Sequence, residues 1–458
     1  MTKNFNTIHF IGIGGTGMSG LAKILSEMGY KVTGSDIMES NTTRRLTKMG
    51  IKVFIGHSYD NVGDADLVVV STAIPMNNPE VLGARQKGIK VVHRSDILSK
   101  LMDEKNGIAV TGAHGKTTTA SMISLILENS NFSPTVIIGG ELNDIGANAV
   151  LGHGDFLVAE ADESDGSFLK LNPYIAVVTN IEGEHLDYYG DIENIKNAFI
   201  KFLMKIPDEG FLVLGSDNPN ISDIMQRINK RIFTFGIKNK ADFMAENIKL
   251  NGTKTIFDFV RNGRFLGQLI LNVPGIHNIY NALAAAAVCC ELGVSIENIQ
   301  KSLMDFKGVK RRFQIVGDFK DLKIIDDYAH HPTEIKATLQ AAKQCNPSRL
   351  IVIFQPHRYT RTRDLYKEFG NAFDYADEVI VTGIYSAGEN PINGVTSGLI
   401  VDSIKKNNLP VTYVENKDEV TEYLYNRIRP GDYIVTVGAG DIWETAYNLT
   451  YKLRDRFS

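Results

Sequence analysis

Thr111-Gly112-Ala113-His114-Gly115-Lys116-Thr117-Thr118-Thr119 follows directly on the apolar run Gly107–Val110, and this junction decides the fold. A strand that breaks into a glycine-bearing turn and then a helix gathers backbone N–H groups and the positive end of the helix around an anion. Lys116 adds a full positive charge for terminal phosphates, and the Thr117 hydroxyl suits a phosphate-bound Mg²⁺. The longer form of such a loop carries a further glycine where Val110 stands, so the match is to a shorter G-x-x-G-K-T variant with the same physics. A plain structural turn requires neither the lysine nor the run of threonines.

Upstream, the strand Thr7–Ile11 leads into Gly12-Ile13-Gly14-Gly15-Thr16-Gly17 and then a helical stretch from Gly20 to Met28. This is a full G-x-G-x-x-G, whose glycines let the backbone approach a diphosphate. Asp36 closes the next strand, where a ribose-binding acid would sit. A tight structural turn is the competing reading, and the motif does not specify which nucleotide binds.

Downstream, Phe156-Leu157-Val158-Ala159 runs into Glu160-Ala161-Asp162-Glu163-Ser164-Asp165. Clustered carboxylates repel unless a cation offsets them, and oxygen ligands beside a phosphate loop suit Mg²⁺. Another apolar strand ends in Thr179-Asn180-Ile181-Glu182-Gly183-Glu184-His185, where His185 could be a further metal ligand. An exposed acidic turn and a solvated loop histidine are the bland readings of these two clusters. Pro274-Gly275-Ile276-His277-Asn278-Ile279-Tyr280-Asn281 opens an Ala-rich helix, with His and Asn as caps or as contacts to a base. The last segment carries Arg311-Arg312, then Asp326-Asp327-Tyr328-Ala329-His330-His331, then Gln355-Pro356-His357-Arg358-Tyr359-Thr360-Arg361. Arg358 and Arg361 offer planar forks for carboxylate or phosphate, against the alternative of a solvated basic face.

Strands alternating with helical patterns predict α/β layers with mostly parallel sheets. The chain of 458 residues is expected to divide into three such domains: a Rossmann-like domain over 1–105, a central P-loop domain over 106–313, which the family resemblance given below makes an ATPase, and a second Rossmann-like domain over 314–458. Segments near Arg231–Phe235 and Thr255–Val260 read as antiparallel additions to the central sheet. Lys and Arg total 49 against 53 Asp and Glu, a net charge of −4, which is no footprint for a nucleic-acid binder. The N-terminus lacks the apolar core of a signal peptide and no run is apolar enough to span a bilayer, so a cytoplasmic protein is expected. Cys289, Cys290 and Cys345 have no metal or redox spacing and read as inert thiols.

Taken in order, these motifs resemble those of the Mur ligase family over almost the whole chain: G-x-G-G-x-G-M-S-G, G-x-H-G-K-T-T-T, E-A-D-E-S-D, T-N-I-E-x-x-H-L-D, H-N-x-x-N, D-D-Y-x-H-H-P and H-R-Y-T-R. The resemblance implies an ATP- and Mg²⁺-dependent ligase that joins L-alanine to UDP-N-acetylmuramate through an acyl-phosphate, as a monomer or homodimer. It places the UDP-sugar at Gly14, Gly15, Thr16, Gly17, Asp36, Ser71 and Arg94. ATP falls to Gly112, Ala113, His114, Gly115, Lys116, Thr117 and Thr118, with Asn278, Asn281, Arg312 and Asp327. Metal falls to Thr117, Glu160 and His185. L-alanine falls to Tyr328, His330, Arg358 and Arg361, with Lys116, Glu160, His185 and His330 as the catalytic set. Two departures stand out: Ala113 replaces a frequent Thr, and Gly183-Glu184 replaces the Pro-Asp that usually precedes the His. Lys201 lies near the place of a carbamoylated lysine in some relatives, but about one residue off, and is not assigned. A ligase that recycles a tripeptide onto the same sugar is the alternative within the class. An NAD(P)-dependent dehydrogenase explains only the first loop, and a nucleotide-binding regulator leaves the acids and His185 unexplained.

Overall fold

The apolar runs that precede each motif become the inner strands of three sheets. The computed structural model describes residues 5–142 and 147–457. The first sheet contains β1 (Thr7–Ile11), β2 (Lys31–Asp36), β3 (Lys52–Ile55), β4 (Leu67–Val70) and β5 (Lys90–His93), in the order β3-β2-β1-β4-β5 and parallel throughout. Strand order reverses between β1 and β4, so the loops leaving them diverge and open a crevice at their C-terminal ends.

The second sheet contains β6 (Asn106–Thr111), β7 (Thr135–Leu142), β8 (Ala147–Val150), β9 (Phe156–Glu160), β10 (Ile175–Val178), β11 (Phe211–Gly215), β12 (Ile232–Gly236), β13 (Phe243–Asn251), β14 (Lys254–Arg261) and β15 (Arg264–Leu271). Their order is β15-β14-β13-β12-β11-β10-β6-β9-β7-β8. β6 is flanked by β9 and β10, both parallel to it. The expectation that Arg231–Phe235 adds antiparallel is wrong: β12 pairs parallel with β11. The helix Pro219–Met225 carries the chain back between them, which makes a parallel return possible. The expected strand at Thr255–Val260 lies inside β14, which short turns at Gly252 and Gly263 join to β13 and β15. Both glycines are left-handed, as tight hairpins require.

The third sheet contains β16 (Gln314–Phe319), β17 (Leu322–Asp327), β18 (Arg349–Phe354), β19 (Glu378–Val381), β20 (Val411–Tyr413) and β21 (Asp432–Val437), ordered β16-β17-β21-β18-β19-β20. Only β16 runs antiparallel to its neighbour.

Two compact units result: 1–247, 258–269 and 280–305 form one, and 248–257, 270–279 and 306–458 the other. The three cysteines are free, and burial pushes the Cys289 thiol well above its ordinary value, as inert thiols require. No helix among the described residues is long and apolar enough to cross a membrane.

Candidate active-site clusters

At the end of β6 the phosphate loop is shaped by its neighbours. Gly112 and Gly115 are left-handed. A Cβ on Gly112 would strike Thr179 and Asn180, and one on Gly115 would strike the Asn281 amide. Asn180 acts as a splint: its Oδ1 accepts from His114 N at 2.9 Å and its Nδ2 donates to His114 O at 3.0 Å. Thr179 Oγ1 donates to the same carbonyl at 2.6 Å. Lys116 opens the helix Lys116–Asn129, with half-buried Thr117 and Thr118 in its first turn. Its ammonium donates to Gly112 O at 2.6 Å, Ala113 O at 3.2 Å and Glu163 Oε1 at 2.8 Å. Burial acts to lower the Lys116 pKa, but the charges of Glu163 and Asp162 outweigh it and hold the group above its ordinary value. The lysine is a fixed cation.

Sheet order brings two more predicted clusters beside this loop. Glu160 ends β9 opposite Val110, and its Oε1 accepts from Gly139 N at 2.5 Å. Glu163 is nearly buried and braced from behind, since Tyr189 Oη donates to its carbonyl at 2.5 Å. The loop after β10 carries His185, a non-glycine residue in the left-handed region at φ 57°. Such backbone strain marks a residue held by its surroundings. The same loop brings Glu182 Oε2 to 3.2 Å from His114 Nε2. Lys201, exposed on the helix Ile192–Leu203, instead lines a shallow cavity with Leu169, Tyr189 and Asn194.

The first loop is similarly braced. Gly12 N and Ile13 N donate to Ser35 O at 2.8 and 2.9 Å, and Gly14 N donates to Asp36 Oδ2 at 2.8 Å. Asp36 therefore shapes the turn directly. Gly15 caps the helix that begins at Thr16, while Arg94 Nη1 would lie 3.1 Å from a Cβ on Gly17. Ser71 follows β4, across the crevice mouth from the glycine loop.

In the second unit, β17 and β18 flank β21, and their C-terminal loops gather the last predicted set. His330 Nδ1 lies 3.0 Å from Tyr328 O and 3.3 Å from Glu334 Oε2. Two acceptors there assign the proton to Nδ1 and leave Nε2 as an acceptor. Burial pushes the His330 pKa down to about 4 despite Glu334. His357 stacks on Tyr385 with ring centroids 5.6 Å apart, and burial together with the charges of His330 and Arg361 lowers it to about 3. Arg361 Nη1 lies 3.2 Å from His357 Nδ1. Arg358 is exposed, with φ 73° as it caps the helix Tyr359–Gly370, so it stands just outside the helical turn that carries Arg361. Arg311, quoted in the sequence but given no role there, grips Asp326 at 3.1 Å and the carbonyls of Gly440 and Gly438 at 3.0 and 2.6 Å. Arg312 pairs with Glu334 at 3.6 Å. Buried Asp327 accepts from Phe313 N and Ala329 N, both at 2.8 Å, and burial raises its pKa to about 6. Asn278 donates to Pro274 O at 2.7 Å.

An ATPase-type loop between acidic and histidine-bearing strand ends, in a chain that also carries a glycine-loop sheet and a third, mostly parallel sheet, defines a nucleotide-dependent ligase architecture. The chain belongs to the Mur ligase family: its catalytic, middle and glutamate ligase domain models match residues 7–106, 110–289 and 311–440. The UDP-N-acetylmuramate–L-alanine ligase of Pelotomaculum thermopropionicum is 51% identical over 98% of both chains. The crystal structure of the UDP-N-acetylmuramate-alanine ligase of Thermotoga maritima superposes with a TM-score of 0.86 at 33% identity, covering 98% of this chain and 99% of that one. A murein peptide ligase of Psychrobacter arcticus is more distant, with a TM-score of 0.73 at 25% identity over 98% of each chain.

Proposed function

We propose that the chain uses ATP to join L-alanine to UDP-N-acetylmuramate, forming ADP and phosphate, in peptidoglycan precursor synthesis in the cytoplasm. The observation that carries this reading is the fixed Lys116 cation, set by Glu163 in a phosphate loop flanked by the ends of β9 and β10. A carboxylate is a poor electrophile until one oxygen becomes a good leaving group. The sugar carboxylate therefore attacks the γ-phosphorus and displaces ADP. The amine of L-alanine then adds to the acyl carbon, phosphate departs, and the amine loses its proton.

Gly112 to Thr118 cradle the phosphates, and Lys116 offsets the charge that develops on them. Asn278, Asn281, Arg312 and Asp327 are assigned ATP contacts. The donor set Thr117, Glu160 and His185 fits Mg²⁺, since hydroxyl and carboxylate oxygens suit a hard cation and one imidazole is tolerated. Bound there, the ion would screen the phosphate oxygens against the incoming nucleophile. Gly14 to Gly17, Asp36, Ser71 and Arg94 take the UDP-sugar at the crevice of the first sheet. Arg358 and Arg361 pair with the alanine carboxylate, and Tyr328 and His330 face its amine. A histidine held neutral offers Nε2 as an acceptor to the ammonium; with a pKa near 4 it orients the amine better than it deprotonates it. Three domains, divided near 105 and 313, supply these parts. The tripeptide-recycling alternative matches less closely, and a dehydrogenase would leave Lys116 without a role.

Replacing Lys116 with Ala removes the cation but leaves the first crevice intact. Turnover should fall by the equivalent of about 3 kcal/mol or more in the barrier, the scale of a lost transition-state donor. UDP-N-acetylmuramate binding, followed by calorimetry, should persist. Equal loss of binding and turnover would contradict the separation of the two sites.

A further inference from the structure

The run Glu160–Asp165 does not act as one acidic patch: its carboxylates turn to different partners, and two of them reach the first sheet. Asp162 Oδ2 accepts from Arg94 Nη2 at 2.9 Å, and Asp165 Oδ2 accepts from Thr72 Oγ1 at 2.5 Å. Arg94 follows β5 and opens the helix Arg94–Asp103, while Thr72 comes two residues after β4. Both therefore belong to the crevice of the first sheet, and Arg94 lies against Gly17 of the glycine loop, its Nη1 3.1 Å from where a Cβ there would sit. Lys170 adds a third tie to the same helix through Asp96 at 2.8 Å. Asp162 is anchored on its own side, since Ser164 N donates to its Oδ1 at 3.1 Å.

We propose that Asp162 is a positioning residue for the UDP-sugar rather than a metal ligand: it holds one edge of the Arg94 guanidinium so that the other edge faces the diphosphate at the glycine loop. The proposal rests on the UDP-sugar reading of the first crevice. A free arginine loses rotamer freedom on being fixed, and a planar fork already held on one edge has less left to lose. The opposing effect is repulsion between the Asp162 carboxylate and the diphosphate. With Arg94 bonded to Asp162 and lying against the glycine loop, the carboxylate acts through a cation already paired with it, which reduces that repulsion. The Lys116 charge also reaches Asp162 and, after burial, is the largest influence on its carboxyl, helping to lower its pKa. The same turn thus touches the anion sites of both nucleotides.

The test is an equilibrium titration of the full chain with UDP-N-acetylmuramate, without ATP, for the parent, Asp162→Asn and Asp162→Glu, followed by steady-state kinetics. Asp162→Asn should weaken UDP-sugar binding about tenfold and raise its KM in parallel. Its kcat at saturation should change less than its binding does, since Glu163 still pairs with Lys116, and the Mg²⁺ needed for half-maximal rate should stay within about twofold. Asp162→Glu, which restores the carboxylate, should recover most of the loss. Unchanged or tighter UDP-sugar binding in Asp162→Asn overturns the proposal, and so does a raised Mg²⁺ requirement. Failure of the parent protein itself to bind UDP-N-acetylmuramate would instead overturn the reading on which it rests.

Discussion

Lys116 Nζ is fixed by Gly112 O, Ala113 O and Glu163 Oε1, and the strand-to-helix junction that carries it is readable from the apolar run and glycine turn before it. The acids were not individually legible. A run of carboxylates in a loop has no period, so nothing in the sequence says that Glu163 turns to Lys116 at 2.8 Å, Asp162 to Arg94 at 2.9 Å and Glu160 toward Gly139 N at 2.5 Å. Arg311 and Arg312 show the same limit: adjacent and chemically identical, one anchors Asp326 and two carbonyls while the other meets Glu334. The assignment of Glu160 to the metal yields a direct expectation. Glu160→Ala should raise the Mg²⁺ concentration for half-maximal rate several-fold, because one charged oxygen ligand is lost. The measurement is the rate as a function of Mg²⁺ at saturating ATP. An unmoved requirement would transfer the role to Glu163, the acid that touches Lys116.

At the scale of elements, most inner strands are readable from their apolar runs and the short edge strands are not. Lys52–Ile55, Lys90–His93 and Val411–Tyr413 are short and half exposed, and each sits at or next to a sheet edge where alternation is too brief to register. Glu80 was equally hidden, since an acid in the first turn of the helix Pro79–Gln86 looks like a solvated dipole partner. It is instead fully buried, taking Ser35 Oγ at 2.5 Å, Asn61 Nδ2 at 2.6 Å, His9 Nε2 at 3.2 Å and Ser58 N at 3.2 Å. Ser35 in turn holds the first loop through its carbonyl. Burial acts to raise the Glu80 pKa, but the hydrogen bonds from His9, Ser35 and Asn61 prevail and set it at about 2. A carboxyl depressed in the folded state contributes stability above its unfolded pKa of about 4.5 and loses it as pH falls toward 2. The contribution is roughly 3 kcal/mol. Thermal unfolding midpoints should therefore drop more steeply between pH 4.5 and 2 in the parent than in Glu80→Gln. Equal slopes would mean that Glu80 is not held ionised by this cage.

For the whole molecule, the order of strand-loop-helix junctions makes three largely parallel sheets legible, because each junction must sit at the C-terminal end of a strand to present its loop. The hairpins β13–β15 gave a weaker signal, since their stability depends on tertiary packing that local pattern does not record. Ligation of L-alanine to the sugar carboxylate is read out by product mass. The full chain is incubated with ATP, Mg²⁺, UDP-N-acetylmuramate and a mixture of L-alanine, glycine, L-serine and a cell-wall tripeptide, and the products are weighed and the phosphate counted. The expected main product is UDP-N-acetylmuramoyl-L-alanine, with one ADP and one phosphate released per amide bond. Preferential capture of the tripeptide, or ATP hydrolysis with no amide product, would contradict it.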